Sequence, residues 1–247
     1  MILTDISKKV VNILYPPSCG LCMAPTVEPH TICSDCTQDM YPLPRSKCKY
    51  CSYPFDLNVG EDMECARCLQ DRPHYDRAVA PFYYQDKVKD IILKLKYANQ
   101  THLAYIAAKY MHQCLRKHNI NDFDQIIPIP IHIKKHFTRK YNQAGLIANH
   151  LAKILRKPCL NNFLLKHKNV SQKGKSQSQR AENIKNTFIL KSHKQLKRQK
   201  YLIVDDVMTT GATVNEAARC LKKAGAEKVY GVTLARVGLT HVGTVDF

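Results

Sequence analysis

The chain has no apolar run of the ~18 residues that a membrane-spanning helix needs. No span is therefore expected. Its first fourteen residues carry Ile2, Leu3, Ile6, Val10, Ile13 and Leu14, interrupted by Asp5, Lys8 and Lys9. That is the pattern of an amphipathic helix, and it lacks the uninterrupted apolar centre of a signal peptide. A cytoplasmic protein is expected. Acid is the second shortage. Between His132 and Lys200 a single acidic residue, Glu182, faces 18 Lys and Arg, whereas the rest of the chain is balanced at 20 basic and 19 acidic residues. Nearly all of the +18 formal charge thus lies in one stretch. A small phosphorylated ligand needs roughly three or four cations, so the surplus points to a larger polyanion or a loosely held basic surface. The third shortage is local. Residues 16–75 hold too few apolar side chains for an ordinary core, so another source of folding energy is required.

Cysteine supplies it. Eight of the eleven cysteines form four Cys-x-x-Cys pairs: Cys19 with Cys22, Cys33 with Cys36, Cys48 with Cys51, and Cys65 with Cys68. In a reducing compartment such spacing means metal rather than disulfides. Each pair aims two thiolates at one ion, and two pairs complete a tetrahedral zinc site whose binding energy drives folding. Ten residues between the first two pairs and thirteen between the last two suit consecutive zinc ribbons. An interleaved arrangement, first pair with third and second with fourth, stays open on spacing alone. Eight thiolates fill two sites, which leaves His30 and His74 without a metal role. Cys114, Cys159 and Cys220 fall in helical or apolar stretches and are expected to be buried, inert thiols.

From about Asp76 the pattern changes to alternating strands and helices. Strands are predicted over 77–84, 124–130, 162–166, 188–190, 201–204 and 228–235, and helices from about 86, over 101–116, 141–155 and 213–224. Such alternation gives a parallel α/β sheet with ligands at the carboxyl ends of its strands. Domains of 1–75 and 76–247 are expected. Residues 167–180 have almost no apolar content and are predicted as a mobile loop.

The strongest signal is Tyr201-Leu-Ile-Val-Asp-Asp-Val-Met-Thr-Thr-Gly-Ala-Thr213. A buried strand runs into Asp205 and Asp206, then into a Thr-Thr-Gly-Ala-Thr turn that opens a helix. Backbone N–H groups and hydroxyls at a helix start form a phosphate cradle. Gly211 allows close backbone approach or a positive φ, and Thr213 with Glu216 has capping-box spacing. Two carboxylates beside an anion site call for a partner. Ribose hydroxyls, which donate to carboxylates, and a magnesium ion on the phosphates both fit, so the ligand read from these residues is a sugar phosphate.

Val204 to Thr213 resembles the phosphoribosyl pyrophosphate (PRPP) motif of type I phosphoribosyltransferases, most closely the version in ComF-type competence proteins. The resemblance implies that Asp205 and Asp206 hold ribose hydroxyls and that Thr209, Thr210, Gly211, Ala212 and Thr213 hold the 5-phosphate. It also implies a sheet of the type I phosphoribosyltransferase kind behind an N-terminal double zinc ribbon. Ile127-Pro-Ile-Pro130 and the basic loop after it look like the family's pyrophosphate loop, placing Lys134, Lys135 and Arg139 near a diphosphate. Arg139-Lys-Tyr-Asn-Gln-Ala144 matches the family's Arg-Gly-Phe-Asn-Gln-Ala signature, with Lys140 for Gly and Tyr141 for Phe. Gln172, Arg180, Asn183 and Phe188 match its spaced Gln, Arg, Asn and Phe, carried on a loop that closes over ligand.

The resemblance therefore implies a competence-associated protein that binds a PRPP-like ligand with magnesium, together with single-stranded DNA, during natural transformation. The alternative is an active phosphoribosyltransferase using PRPP and magnesium on an acceptor that the sequence does not reveal. Purine-salvage relatives keep a catalytic Asp where this chain has Thr209, and no base is visible in the motif. A third reading makes the zinc ribbons a docking platform for a partner such as a competence helicase or another DNA-processing protein, with the sheet domain regulatory. Five cations between Lys191 and Lys200 offer either nucleic-acid contact or a plain exposed edge.

Overall fold

The computed structural model describes residues 16–58, 60, 62–131, 141–166, 187–191, 196 and 198–238. The expected amphipathic helix over the first fourteen residues lies outside them, as do Lys134, Lys135, Arg139, Gln172, Arg180 and Asn183.

The eight paired cysteines close into two separate tetrads, Cys19-Cys22-Cys33-Cys36 and Cys48-Cys51-Cys65-Cys68, with the sulfurs of each set within 4.8 Å of one another. The pairing is sequential. Two short helices, α1 (Ser34–Gln38) and α2 (Ala66–Gln70), each begin immediately after the first cysteine of the second pair in their ribbon. Backbone N–H groups of Leu21 and Cys33 point at Cys19 Sγ, at 3.4 and 3.3 Å, which favours the thiolate that zinc requires.

The main sheet is parallel. Strands β1 (Arg77–Val79), β2 (Phe82–Tyr83), β3 (Gln125–Pro128), β6 (Lys200–Met208) and β7 (Lys228–Arg236) lie in the order β1-β7-β6-β3. Both β1 and β2 pair with β7, so the strand expected over 77–84 is one edge strand interrupted at Ala80 and Pro81. Proline has no N–H to give a ladder. Strands β4 (Leu164–Lys166) and β5 (Phe188–Leu190) depart from the expected pattern. They pair antiparallel with each other, Leu164 opposite Leu190, outside the parallel sheet.

Helices cover both faces, which explains why β6 reads as a continuous apolar run rather than an alternating one. Leu202 and Val204 face a core built with α3 (Asp86–Tyr97), α4 (Leu103–Lys117) and α5 (Gln143–Leu155). Tyr201 and Ile203 face a second core with α6 (Ala212–Lys223). Each ribbon joins one of these cores. Cys19, Leu21, Cys36 and Met40 pack into the first, and the Cys48 tetrad packs into the second with Tyr75. The aromatics Tyr50, Tyr53 and Phe55 pack against that second core. Ribbon two also covers the edge of the sheet, since Ala78 N–H donates to the Tyr50 carbonyl and Ser52 Oγ donates to the Ala78 carbonyl, at 2.7 and 2.9 Å. That edge is closed to further strand pairing.

The chain crosses from β3 through α5 to one side and from β6 through α6 to the other. The strand order therefore reverses between β3 and β6. Crevices at such a reversal, beyond the carboxyl ends of the strands, are where open α/β sheets bind ligands.

Candidate functional site

Asp205 and Asp206 stand near the end of β6, beside that reversal. A cavity of about 100 Å³ opens there, lined by both aspartates with Lys96, Ile129, Asn142 and Gln143. Lys96 comes from the last turn of α3 and its ammonium lies 2.8 Å from Asp206 Oδ2. Asn142 precedes α5 and its Nδ2 donates to the Ile129 carbonyl at 3.0 Å, tying the two rims together.

The cavity holds buried polar atoms without partners among the described residues: Asn142 Oδ1 and Gln143 Nε2. Gln143 is only 2% exposed. A buried amide left unpaired costs about 1–3 kcal/mol, which a polar ligand would recover. One orphan is an acceptor and the other a donor, so a ligand rich in hydroxyls and phosphate oxygens can satisfy both.

Burial, and next the negative charge of Asp206, pushes the Asp205 carboxyl up to about 8. The Asp206 N–H, which donates to Asp205 Oδ1 at 2.9 Å, and the charges of Lys96 and Lys166 only partly oppose this. Ionisation of Asp205 thus weakens the folded state as pH rises from the ordinary carboxylate range near 4 to about 8, with no further loss above. Asp205→Asn removes the penalty. Thermal melts are expected to show the variant several degrees more stable than the parent chain at pH 9 and indistinguishable from it at pH 4; equal melting shifts at both values would contradict the assignment.

The loop from Thr209 to Thr213 departs from the expected capping box. Gly211, at φ +80°, is itself the N-cap, the helix starts at Ala212, and the cap makes no side-chain hydrogen bond. Glu216 instead grips Arg219, with contacts of 2.7 and 2.8 Å. The spacing was correct for a box, but a left-handed glycine starts the helix ahead of Thr213 and carries Thr213 into its first turn. Thr210 Oγ1 accepts from Ala212 N–H at 3.3 Å. The following N–H groups open the positive end of a twelve-residue helix, suited to phosphate.

What holds this loop comes from β7 and ribbon two and was not read from the sequence. Arg236, 2% exposed at the end of β7, donates Nε to the Cys51 carbonyl at 3.0 Å and Nη1 to the Met208 and Val237 carbonyls at 3.1 and 2.8 Å, and also bonds the Thr209 carbonyl. Its Nη2 lies 3.8 Å from Cys51 Sγ. Arg67 of α2 donates to the Thr210 carbonyl at 2.7 Å, and Asn215 Oδ1 accepts from His74 N–H at 2.6 Å. A tetrahedral zinc site with four thiolates carries a net charge of about −2 and so supplies a counter-charge for the buried guanidinium. The only sequence signal for Arg236 was a cation closing an apolar strand.

Asp205, Asp206 and the Thr209–Thr213 loop are brought to one place. Lys96, Asn142 and Gln143 join them from distant segments. Cys114 is buried but Cys159 and Cys220 are only half-buried, a correction to the expectation for those two; burial still raises all three thiols, the first two to about 11. Lys200, in the basic run, is engaged by Asp122 at 2.8 Å.

The geometry defines a phosphoribosyltransferase-type sheet to which two zinc ribbons are docked. Residues 10–69 match the Double zinc ribbon domain and residues 143–240 the Phosphoribosyl transferase domain. The chain belongs to the ComF family of competence proteins. It is 30% identical over 220 residues to Competence protein F of Haemophilus influenzae, covering 83% of this chain and 96% of that protein. DNA utilization protein YhgH of Escherichia coli K12 is 28% identical over 230 residues, covering 91% and 99%. Competence protein ComFC of Streptococcus pneumoniae is 26% identical over 206 residues, covering 83% and 87%. Among solved structures, glutamine PRPP amidotransferase from B. subtilis is 17% identical with a TM-score of 0.38, over 57% of this chain and 30% of that one. Among the described residues, no helix is long and apolar enough to cross a membrane.

Proposed function

We propose that the chain binds a ribosyl phosphate of the PRPP type at the β3–β6 reversal and single-stranded DNA on its basic surface, and that it acts in DNA uptake and handling. The observation that carries the first part is the cavity lined by two aspartates, an unpaired buried amide donor and an unpaired acceptor, at the end of the strand that leads into the α6 start. In this reading Asp205 and Asp206 accept from ribose hydroxyls, and the helix start takes the 5-phosphate. Lys134, Lys135, Arg139 and Arg180 supply the cations for the diphosphate. Magnesium, bound through the phosphates, offsets the repulsion between them and the carboxylates. Similarity to competence and DNA utilization proteins supports the second part, as do the 18 basic residues against one acid between His132 and Lys200.

Thr209 is exposed, and Arg236 holds its carbonyl, so this loop offers no carboxylate at the place where some relatives keep a base. Binding rather than transfer is the function this site supports. Counterion release predicts that affinity for a short oligothymidine falls steeply between 50 and 200 mM salt, with a log–log slope of about −0.7 per phosphate neutralised. Fluorescence anisotropy checks this. Absence of binding at low salt would remove the DNA half of the proposal and leave the ribosyl half standing.

A further inference from the structure

Lys96 belongs to none of the motifs that mark the ribosyl site, yet its side chain lines that site's cavity. The Lys96 side chain is 16% exposed and that of Asp206 10%, so the 2.8 Å ion pair between them is largely withdrawn from water. A cation in the last turn of α3 complements the helix dipole, but Lys94 in the same turn supplies one, donating to the Leu21 carbonyl of ribbon one at 2.9 Å. An exposed ammonium would serve the dipole equally well. Withdrawing it into a pair at the cavity adds little stability, because desolvation offsets most of the attraction. The turn that carries Lys96 is also held from outside α3. Tyr141, standing where the ComF signature has Phe, donates its hydroxyl to the Leu95 carbonyl at 2.8 Å. That bond satisfies one of the end carbonyls of α3 and ties Lys96 to the segment that opens α5.

The start of α5 faces the same cavity. Asn142, its N-cap, and Gln143 and Ala144, its first two residues, all line it. The first turn of this thirteen-residue helix carries no acid, so no local carboxylate offsets its positive end. Gln143 adds its Nε2, a donor with no partner among the described residues on a side chain that is almost fully buried. One cavity thus combines a helix positive end, an unpaired amide donor and an ammonium with two carboxylates.

Such a mixed lining suits a ligand that presents hydroxyls and an anionic group side by side. A ribosyl 1-diphosphate does so, since its charged group sits on C1 next to the C2 hydroxyl. With Asp206 accepting from a ribose hydroxyl, the neighbouring phosphate comes within reach of the ammonium that touches the same carboxylate. We propose that Lys96 is a binding residue for the 1-diphosphate: on ligand entry its ammonium is shared between Asp206 Oδ2 and a phosphate oxygen, and with Gln143 and the α5 start it selects a ribosyl 1-diphosphate over a ribose phosphate that lacks the group on C1. An ammonium has three donors, so it can keep the carboxylate while it takes the phosphate. This inference rests on the ribosyl reading above and adds to it the residue that sets its specificity.

The test is calorimetric titration of the zinc-loaded full chain with PRPP and, separately, with ribose 5-phosphate, at one magnesium concentration. The parent chain should bind PRPP more tightly than ribose 5-phosphate. Lys96→Gln should weaken PRPP at least ~10-fold, the loss of one charge-assisted hydrogen bond, and change ribose 5-phosphate by less than about threefold. Lys96→Arg keeps a cation against Asp206 and should retain the larger part of the preference, which gives a second reading where Lys96→Gln lowers stability. Equal losses for both ligands in Lys96→Gln would overturn the inference and reduce Lys96 to a counter-charge for Asp206. Unchanged PRPP affinity in that variant would overturn it as well. A parent chain that binds both ligands with equal affinity would overturn it while leaving the ribosyl site standing, whereas a parent chain that binds neither removes the ribosyl reading and this inference together.

Discussion

Replacing Arg236 with Ala is expected to destabilise the chain by about 3–5 kcal/mol and to weaken ribosyl-phosphate binding by at least ~100-fold. The first figure follows from removing one partner of a buried, charge-assisted cluster. The Cys51, Met208, Thr209 and Val237 carbonyls all lose their guanidinium donor, and the second metal site loses a neighbouring positive charge. At about 2–4 °C per kcal/mol for a chain of this size, the midpoint of thermal unfolding should drop by roughly 10 °C or more. The effect on binding comes from the Thr209 and Thr210 carbonyls, which Arg236 and Arg67 pin in place. Arg236→Lys keeps the charge but not the planar fork, and should recover only part of either loss. Chelation should act on the same loop. Because Cys51 belongs to the second tetrad, Cys48→Ser is expected to mimic Arg236→Ala in binding assays. Cys22→Ser, in the first tetrad, should leave ribosyl affinity within about threefold for the folded fraction, since that ribbon packs into the opposite core. Equal loss in both cysteine variants would contradict a specific link between ribbon two and the phosphate loop.

Converting Asp205 and Asp206 together to Asn is the second large effect. Above about pH 8, where Asp205 is ionised as well, each carboxylate that accepts from a ribose hydroxyl contributes a charge-assisted bond of about 1.5–3 kcal/mol, so losing both should lower ribosyl-phosphate affinity ~100-fold or more. The same variant leaves Lys96 without its 2.8 Å ionic partner, yet it also removes the charge repulsion between neighbouring carboxylates. Stability should therefore change far less than binding. Affinity for oligothymidine should stay within about threefold if DNA and ribosyl phosphate occupy different places. Parallel titrations of both ligands decide between separate sites and one shared site, and equal losses would argue for the shared one.

Local motifs account for what the sequence revealed. The cysteine pairs, the run into Asp205 and Asp206 and the turn at Gly211 each place their chemistry within about a dozen residues, so spacing alone exposes them. Sequential tetrads settle the pairing that spacing left open. Lys96, Gln143 and Arg236 act only because a parallel sheet brings the ends of α3, α5 and β7 to β6, and no local pattern records such convergence. Asn142 and Gln143 were visible within the Arg139–Ala144 signature, but as sequence rather than as a polar wall. Two readings failed for physical reasons. A positive φ at Gly211 displaced the capping box, and β4 and β5 satisfied each other's backbone instead of extending the main sheet.

Calorimetric titration of PRPP into the zinc-loaded full chain, with magnesium present, tests the central claim most directly. Saturable one-to-one binding is predicted. It should disappear in Asp205→Asn/Asp206→Asn and weaken strongly in Gln143→Ala, and inorganic pyrophosphate alone should bind much more weakly. No saturable heat at millimolar PRPP, or full affinity retained in the double aspartate variant, would contradict the account.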